Sequence, residues 1–265
     1  MACVERASGS VITDTSLAFA VLAAAAFGAG VLNAIAGGGT FLTFPALVWA
    51  GVPPIAANAT SALAVCPGYL GSTLGFRAEL AALPRALLAR EALLCAIGGV
   101  IGALLLLVTP AQVFARVVPW LLLFATALFS FGPRLSRWAG GAHGAGLARL
   151  RLPGLAAVAV YGGYFNGGLG IMLLALFSIW GMSDLYEMNG LKNGLSFVLS
   201  AISVAAFAVA GLVVWPQAVL MMAASTAGGY AGAPAARLLP RPVLRGLIAL
   251  VGVGMTAVFA LRARG

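Results

Sequence analysis

The chain has 265 residues, of which 62% are apolar and only 8% charged, with a net charge of +9. Soluble domains carry roughly 25% charged residues, so this composition excludes a water-soluble globule of this length. The apolar runs instead predict an all-α polytopic membrane protein, and the alternating apolar-polar pattern of an outer-membrane barrel is missing.

The arginines lie in short stretches between apolar runs, which is how topology is specified, so the charge is not a nucleic-acid signal. Cys3, Cys66 and Cys95 lack metal-ligand spacing, and His143, the sole histidine, lies in a Gly-rich polar stretch. No metal, cofactor or catalytic residue is expected, and a rhomboid-like protease would need a Ser and a His at membrane depth. A Walker-type nucleotide loop is also missing, which leaves protons or the membrane potential as the expected drive for any transport.

In chain order, residues 1–15 read as an N-terminal tail, with Glu5 beside Arg6 arguing against a cleaved signal peptide. Apolar segments follow at roughly 16–35, 41–52, 59–76, 87–108 and 115–132, forming a first transmembrane repeat over 16–133. Residues 134–153 read as a basic cytoplasmic loop. A second repeat over 154–261 holds segments at roughly 154–168, 170–181, 190–213, 217–236 and 243–261, and 262–265 form a C-terminal tail.

The second segment of each repeat is too short to cross a bilayer, which takes about 20 residues. Each follows a Gly-rich break, "NAIAGGGT" in the first half and "NGGLGI" in the second. An Asn precedes the glycines in both, and "WAGVPPIAANATSAL" matches "IWGMSDLYEMNGLKNGL" loosely as Trp near Gly, a polar turn and an Asn-bearing helix start. Five segments per half place the halves in opposite orientations. The expected architecture is two inverted-topology repeats, each with a short broken or re-entrant helix. Ten crossings with both termini outside put Arg77, Arg85, Arg90, Arg134, Arg137, Arg149, Arg151, Arg237, Arg241 and Arg245 inside, against Arg6, Arg116, Arg262 and Arg264 outside. Eight crossings with two re-entrant pieces is the alternative.

Irregular backbone at membrane depth survives only where protein or a wet cavity covers it, so both breaks should point inward. Glycines before a helix leave its first amides available to an anion. Gly37, Gly38, Gly39, Gly167, Gly168 and Gly170 are candidates for such a site, with Thr40 as an N-cap or hydroxyl donor. Gly98, Gly99, Gly102 and the run from Gly228 to Ala233 read as helix-packing glycines.

Candidate lining groups are Asn33 and Asn166 before the breaks, Asn58, Thr60 and Ser61 at the third segment, and Asn189, Lys192 and Asn193 at the eighth; helix-helix glue is the competing role. Lys192, the sole lysine, lies inside an apolar run. It either faces a site as a fixed positive charge, snorkels to the inner surface, or pairs with Asp184 or Glu187. Pro67 is a candidate kink. Trp49, Trp120, Trp180 and Trp215 read as interface anchors. Arg77 with Glu79, and Arg90 with Glu91, read as solvated loop charges.

"AGGGTFLTFPAL" and "PPIAANATSALAVCPGYLGSTLGFRAEL" together closely resemble the TauE/SafE family of sulfite exporter-like permeases. "NGGLGIMLLALFSIWGM" and "NGLKNGL" resemble that family's second repeat, and the likeness runs over about residues 16–260. The resemblance implies a multi-pass carrier in the bacterial plasma membrane for small sulfur-containing anions such as sulfite, sulfonates or sulfoacetate. It places the family signature on Gly37 to Gly39, Thr40, Asn58, Thr60 and Ser61, while "GGLG" departs from an unbroken glycine triplet. The functional expectation is a secondary transporter of a small anion, not an enzyme. Its partners are the anion, coupled protons and the lipid bilayer, with no nucleic acid. An anion channel built on the same broken helices is the alternative, and a structural subunit with no pathway is a further one.

Overall fold

The computed structural model describes residues 15–35, 37–121, 123, 124, 127, 151–182 and 184–235. His143, Cys3, most of the basic 134–153 stretch and the last apolar segment, 243–261, lie outside the described residues.

Among the described residues all regular structure is helical. In chain order the helices are α1 (Thr15–Ile35), α2 (Thr40–Trp49), α3 (Pro54–Gly75), α4 (Arg77–Ala82) and α5 (Arg85–Val108). A sixth, α6, runs from 111 through 121. Then come α7 (Arg151–Tyr164), α8 (Leu169–Ile179), α9 (Leu185–Val209) and α10 (Trp215–Ala235). Among the described residues three stretches are long and apolar enough to cross a membrane: Thr15–Ala34, Arg85–Val108 and Tyr186–Val209. At 1.5 Å per residue α3 and α10 also reach about 30 Å, with more polar sequences, and half of α3 is buried.

The two short helices follow one local recipe. α2 begins after Gly37 and Gly38, at φ +78° and +101°, and α8 begins after Gly168, at φ +76°. These left-handed values penalise any Cβ, which explains why glycine stands there. Both helices end alike. The Gly51 amide bonds to the Val48 carbonyl and that of Val52 to Leu47; the Gly181 amide bonds to Ser178 and that of Met182 to Phe177. Gly51 and Gly181 each sit at φ +85°, so a left-handed glycine closes each helix. Ten and eleven residues give about 15 Å, half a hydrocarbon core.

Such half-length helices are stable only under protein cover, and they have it. Phe41, Phe44 and Leu47 of α2, and Leu169, Leu173 and Phe177 of α8, are buried. Phe44 meets Phe165, on the second break, edge to face with ring centres 5.6 Å apart. α2 packs between α1 and α3, and α8 between α7 and α9.

The long helices pair in a reciprocal pattern. α1 packs on α10 and α7 on α5; α3 packs on α10 and α9 on α5; α3 and α9 pack on each other. Small residues bring these backbones together. A Cβ on Gly30 would lie 2.0 Å from the Ser225 carbonyl oxygen, and one on Gly228 would lie 2.0 Å from that of Phe27. On the other pair, a Cβ on Gly102 would lie 2.3 Å from the Val160 oxygen and one on Gly163 2.6 Å from that of Gly99. The opposite face of α5, with Leu93, Ile97, Ile101, Leu104 and Val108, is exposed and apolar, as a lipid-facing surface is.

Several expectations need correction. α7 starts at Arg151, inside the stretch read as a 134–153 loop, and α4 occupies part of the turn around Glu79. Glu91 is no solvated loop charge: it is fully buried on α5 and accepts Arg151 Nη2 at 2.7 Å. The Arg151 guanidinium also lies 4.4 Å from the Trp180 ring centre. That tryptophan is therefore covered by a cation instead of standing free as an anchor, while Trp49, Trp120 and Trp215 are exposed. The buried carboxylate demands a cation, and α7 begins early enough to supply one.

Candidate functional site

The first break is folded back on α1. Asn33, on the last turn of α1, accepts the Gly39 amide through Oδ1 at 2.8 Å, and the Gly37 amide bonds to the Leu32 carbonyl at 3.1 Å. A Cβ on Gly39 would lie 2.4 Å from the Ala29 oxygen, so this glycine lets the α2 start nest against α1. The helix start satisfies most of its own donors: the Phe41 amide reaches Gly38 O, and those of Leu42 and Thr43 reach Gly39 O. α8 does the same, with the Leu169 amide on Asn166 O and those of Ile171 and Met172 on Gly168 O. The breaks thus offer few free amides in this arrangement, and side chains supply the remaining capacity. Thr40 is the first residue of α2, and Gly39 occupies the cap position; no side chain caps the helix.

The two breaks touch. A Cβ built on Gly37 would lie 3.0 Å from Gly170 Cα, and one built on Gly170 would lie 3.2 Å from Gly37 Cα. The same point on Gly170 lies 3.3 Å from Lys192 Cδ. The lysine stem therefore runs past the crossing of the two breaks. Glycine at both positions is what allows this approach, because a methyl on either would press on backbone.

Polar groups from four helices converge on residues 164–170. Asn58 Nδ2 (α3) donates to the Tyr164 carbonyl at 2.9 Å. Thr40 Oγ1 (α2) lies 3.4 Å from the Asn166 carbonyl oxygen, a weak bond. Asn166 Nδ2 meets Ser200 Oγ (α9) at 2.9 Å, and Tyr161 (α7) donates to the Gly167 carbonyl at 2.8 Å. Lys192 is fully buried and donates to Asn189 Oδ1 at 2.8 Å. It does not snorkel, and it pairs with neither Asp184 nor Glu187. Asp184 instead caps α9 by accepting the Tyr186 and Glu187 amides. Among the described residues the sole ion pair is Arg151–Glu91.

Not every candidate joins this cluster. Ser61 Oγ is 2.6 Å from Thr43 Oγ1 and ties α3 to α2. Thr60 Oγ1 accepts the Val214 amide at 3.0 Å and anchors the α9–α10 turn. These bonds hold the frame.

The polar face of α9 extends well beyond Asn189, Lys192 and Asn193. Asn189, Lys192, Asn193, Ser196, Ser200 and Ser203 recur every three or four residues, which puts them on one face of α9. From Lys192 to Ser203 that face is buried, and from Asn189 to Ser203 it runs for about 21 Å at 1.5 Å per residue. The serines were legible as a period, but each alone looks like ordinary helix glue. Several buried atoms here have no hydrogen-bond partner: Asn58 Oδ1, Asn166 Oδ1, both amide atoms of Asn193 and Ser196 Oγ. Buried polar groups are almost always paired, so these atoms stand out among the described residues.

A 29% identical protein of Haemophilus influenzae, described as "Probable membrane transporter protein", aligns over 90% of this chain and 92% of its own length. "Probable membrane transporter protein YfcA" of Escherichia coli K12 is 27% identical over 94% of this chain and 91% of its own. A Sinorhizobium relative, "Probable membrane transporter protein ORF9", is also 27% identical, over 90% and 92%. No solved structure gives a significant match. The model of the sulfite exporter TauE/SafE family matches residues 22–259, spanning both breaks, α9 and the helices that carry them. With nearly the whole chain matched, this α-helical membrane protein belongs to the sulfite exporter TauE/SafE family.

Proposed function

We propose that the protein is a secondary transporter that moves a small anion, sulfite or an organosulfonate, across the bacterial plasma membrane by alternating access. The observation that carries this reading is the contact of Gly37 with Gly170 beside the buried Lys192, whose amine meets an amide oxygen and, among the described residues, no carboxylate. A buried ammonium without a fixed counter-ion is costly, and an anion that binds beside it supplies the missing charge. Thr40, Asn58 and Ser200 bring hydroxyl and amide groups to the 164–170 stretch that the lysine stem lies against.

The like packing of the two halves supports the alternating part of the mechanism. The pairings of α1 with α10, α3 with α10 and α2 with its neighbours are mirrored by α7 with α5, α9 with α5 and α8 with its neighbours. Two like halves in opposite orientation let one arrangement open to each side in turn. Asn33, Thr40, Asn166 and Lys192 are each at most 3% exposed, so an anion reaches them only when helices move. That burial favours a carrier over a continuously open pore.

The test is counterflow of labelled sulfite and organosulfonates in reconstituted vesicles, with and without an imposed pH gradient. Saturable counterflow that Lys192→Met abolishes is the expected result; the gradient arm tells whether protons drive it. Ohmic single-channel currents would establish a channel instead, and no flux of any anion would end the anion reading.

A further inference from the structure

The hydrogen-bonding inventory around residues 164–170 constrains the cargo further, on the reading that this site binds an anion. Three elements place the relevant groups there. Asn58 of α3 is held on Tyr164. On α9, Ser200 meets Asn166 and the Lys192 stem lies against Gly170. Ser196 falls between these two contacts in height and, at 100° per residue, also in angle, while Asn193 lies at the edge of the same arc.

The unpaired atoms are not all of one kind. Asn58 Nδ2 donates to a backbone carbonyl, which can only accept, so the orientation of this amide is determined by its partner. The buried atom without a partner is therefore Oδ1, an acceptor. Asn193 has neither amide atom paired, so it presents one donor group and one acceptor whichever way it is turned. Ser196 Oγ can do either. On the charged side stands one ammonium, Lys192, with no carboxylate paired to it among the described residues.

A fully deprotonated oxyanion has acceptors only. It satisfies Lys192 and the donor end of Asn193, but leaves Asn58 Oδ1 and the Asn193 oxygen facing another acceptor. A dianion also leaves one negative charge uncompensated in a site with a single buried cation. We propose that the preferred cargo is a singly charged anion that brings its own hydrogen-bond donor. Hydrogensulfite, or a sulfonate bearing a hydroxyl group, has this chemistry, and sulfate and simple alkanesulfonates do not. Asn58 is then the residue that reads the donor, and Lys192 the residue that reads the charge.

Three probes of similar size separate the terms: hydroxyethanesulfonate, ethanesulfonate and ethanedisulfonate. Each is titrated calorimetrically into the purified full-length protein and into Asn58→Leu. Hydroxyethanesulfonate is expected to bind about tenfold tighter than ethanesulfonate, the worth of one good hydrogen bond. Ethanedisulfonate is expected to bind no tighter than ethanesulfonate. In Asn58→Leu the tenfold preference falls toward unity, a loss of discrimination that general weakening of the site, which lowers both affinities together, does not produce. Should that variant not fold, the wild-type ratio decides alone. Equal affinity for the hydroxyl and plain sulfonates, or tightest binding of the disulfonate, overturns this inference and leaves the anion site standing. Absence of binding by all three overturns both.

Discussion

Replacing Gly37 by alanine strikes the point where the two breaks meet, and Gly51→Ala is its matched control. Both glycines have positive φ, +78° and +85°. An alanine at either pays the left-handed strain of a Cβ, about 1–2 kcal/mol. The surroundings differ: a Cβ at Gly51 meets nothing within 4 Å, whereas one at Gly37 lies 3.0 Å from Gly170 Cα and 3.3 Å from its carbonyl carbon. Comfortable carbon contacts are about 3.5–4.0 Å. The neighbour is backbone and cannot rotate away, so overpacking adds about 1–3 kcal/mol. Gly37→Ala should therefore cost roughly 2–5 kcal/mol and Gly51→Ala roughly 1–2. Reversible unfolding in mixed micelles reads the difference, and anion counterflow reads its consequence, with Gly37→Ala impaired and Gly51→Ala near wild type. Equal destabilisation of the two variants would show that the breaks do not touch, and the site built on their contact would fall with them.

Three further outcomes follow from the same geometry. Lys192→Met removes a buried ammonium whose hydrogen-bond partner is an amide oxygen, so the melting temperature should hold or rise while anion affinity, measured by titration, drops about 10- to 100-fold with the lost charge-assisted bond; a lower melting temperature with intact affinity would contradict this. Arg151→Ala leaves fully buried Glu91 without its cation and should cost about 3 kcal/mol in unfolding, more than Glu91→Gln, because the Arg151 side chain is 31% exposed and can turn to water; the reverse order would mean that the pair is not buried as described. For Thr43→Val and Ser61→Ala, a double-mutant cycle should return a coupling of about 0.5–1.5 kcal/mol, with transport retained in both single variants, since their 2.6 Å contact ties α2 to α3 outside the cluster.

Much of the architecture was legible because the bilayer is an exacting solvent. Apolar length marks the long helices, and Gly-rich breaks ahead of ten- and eleven-residue apolar pieces mark the half-length ones, since no lipid-exposed chain tolerates such breaks. Helix ends shifted by a few residues, as in α3, which starts at Pro54 and not near 59, because Pro at the first helical position extends the helix backward without losing a bond. Glu91 was misread because a charge beside Arg90 at the start of an apolar run looks solvated; its partner, Arg151, lies 60 residues away.

The sequence by itself determined a membrane-embedded helical chain, the two glycine breaks, the isolated Lys192 and the kind of polar residue around them. Those are local or compositional facts, set by the cost of exposing backbone and charge to hydrocarbon. Only the tertiary structure decided that Gly37 rests on Gly170, that Lys192 passes between the breaks and Asn189, and that Ser61 and Thr60 serve the frame. Such choices depend on which helix faces meet, and each of these polar residues would satisfy the same local pattern whether it faced a neighbour, a cavity or the other half of the molecule.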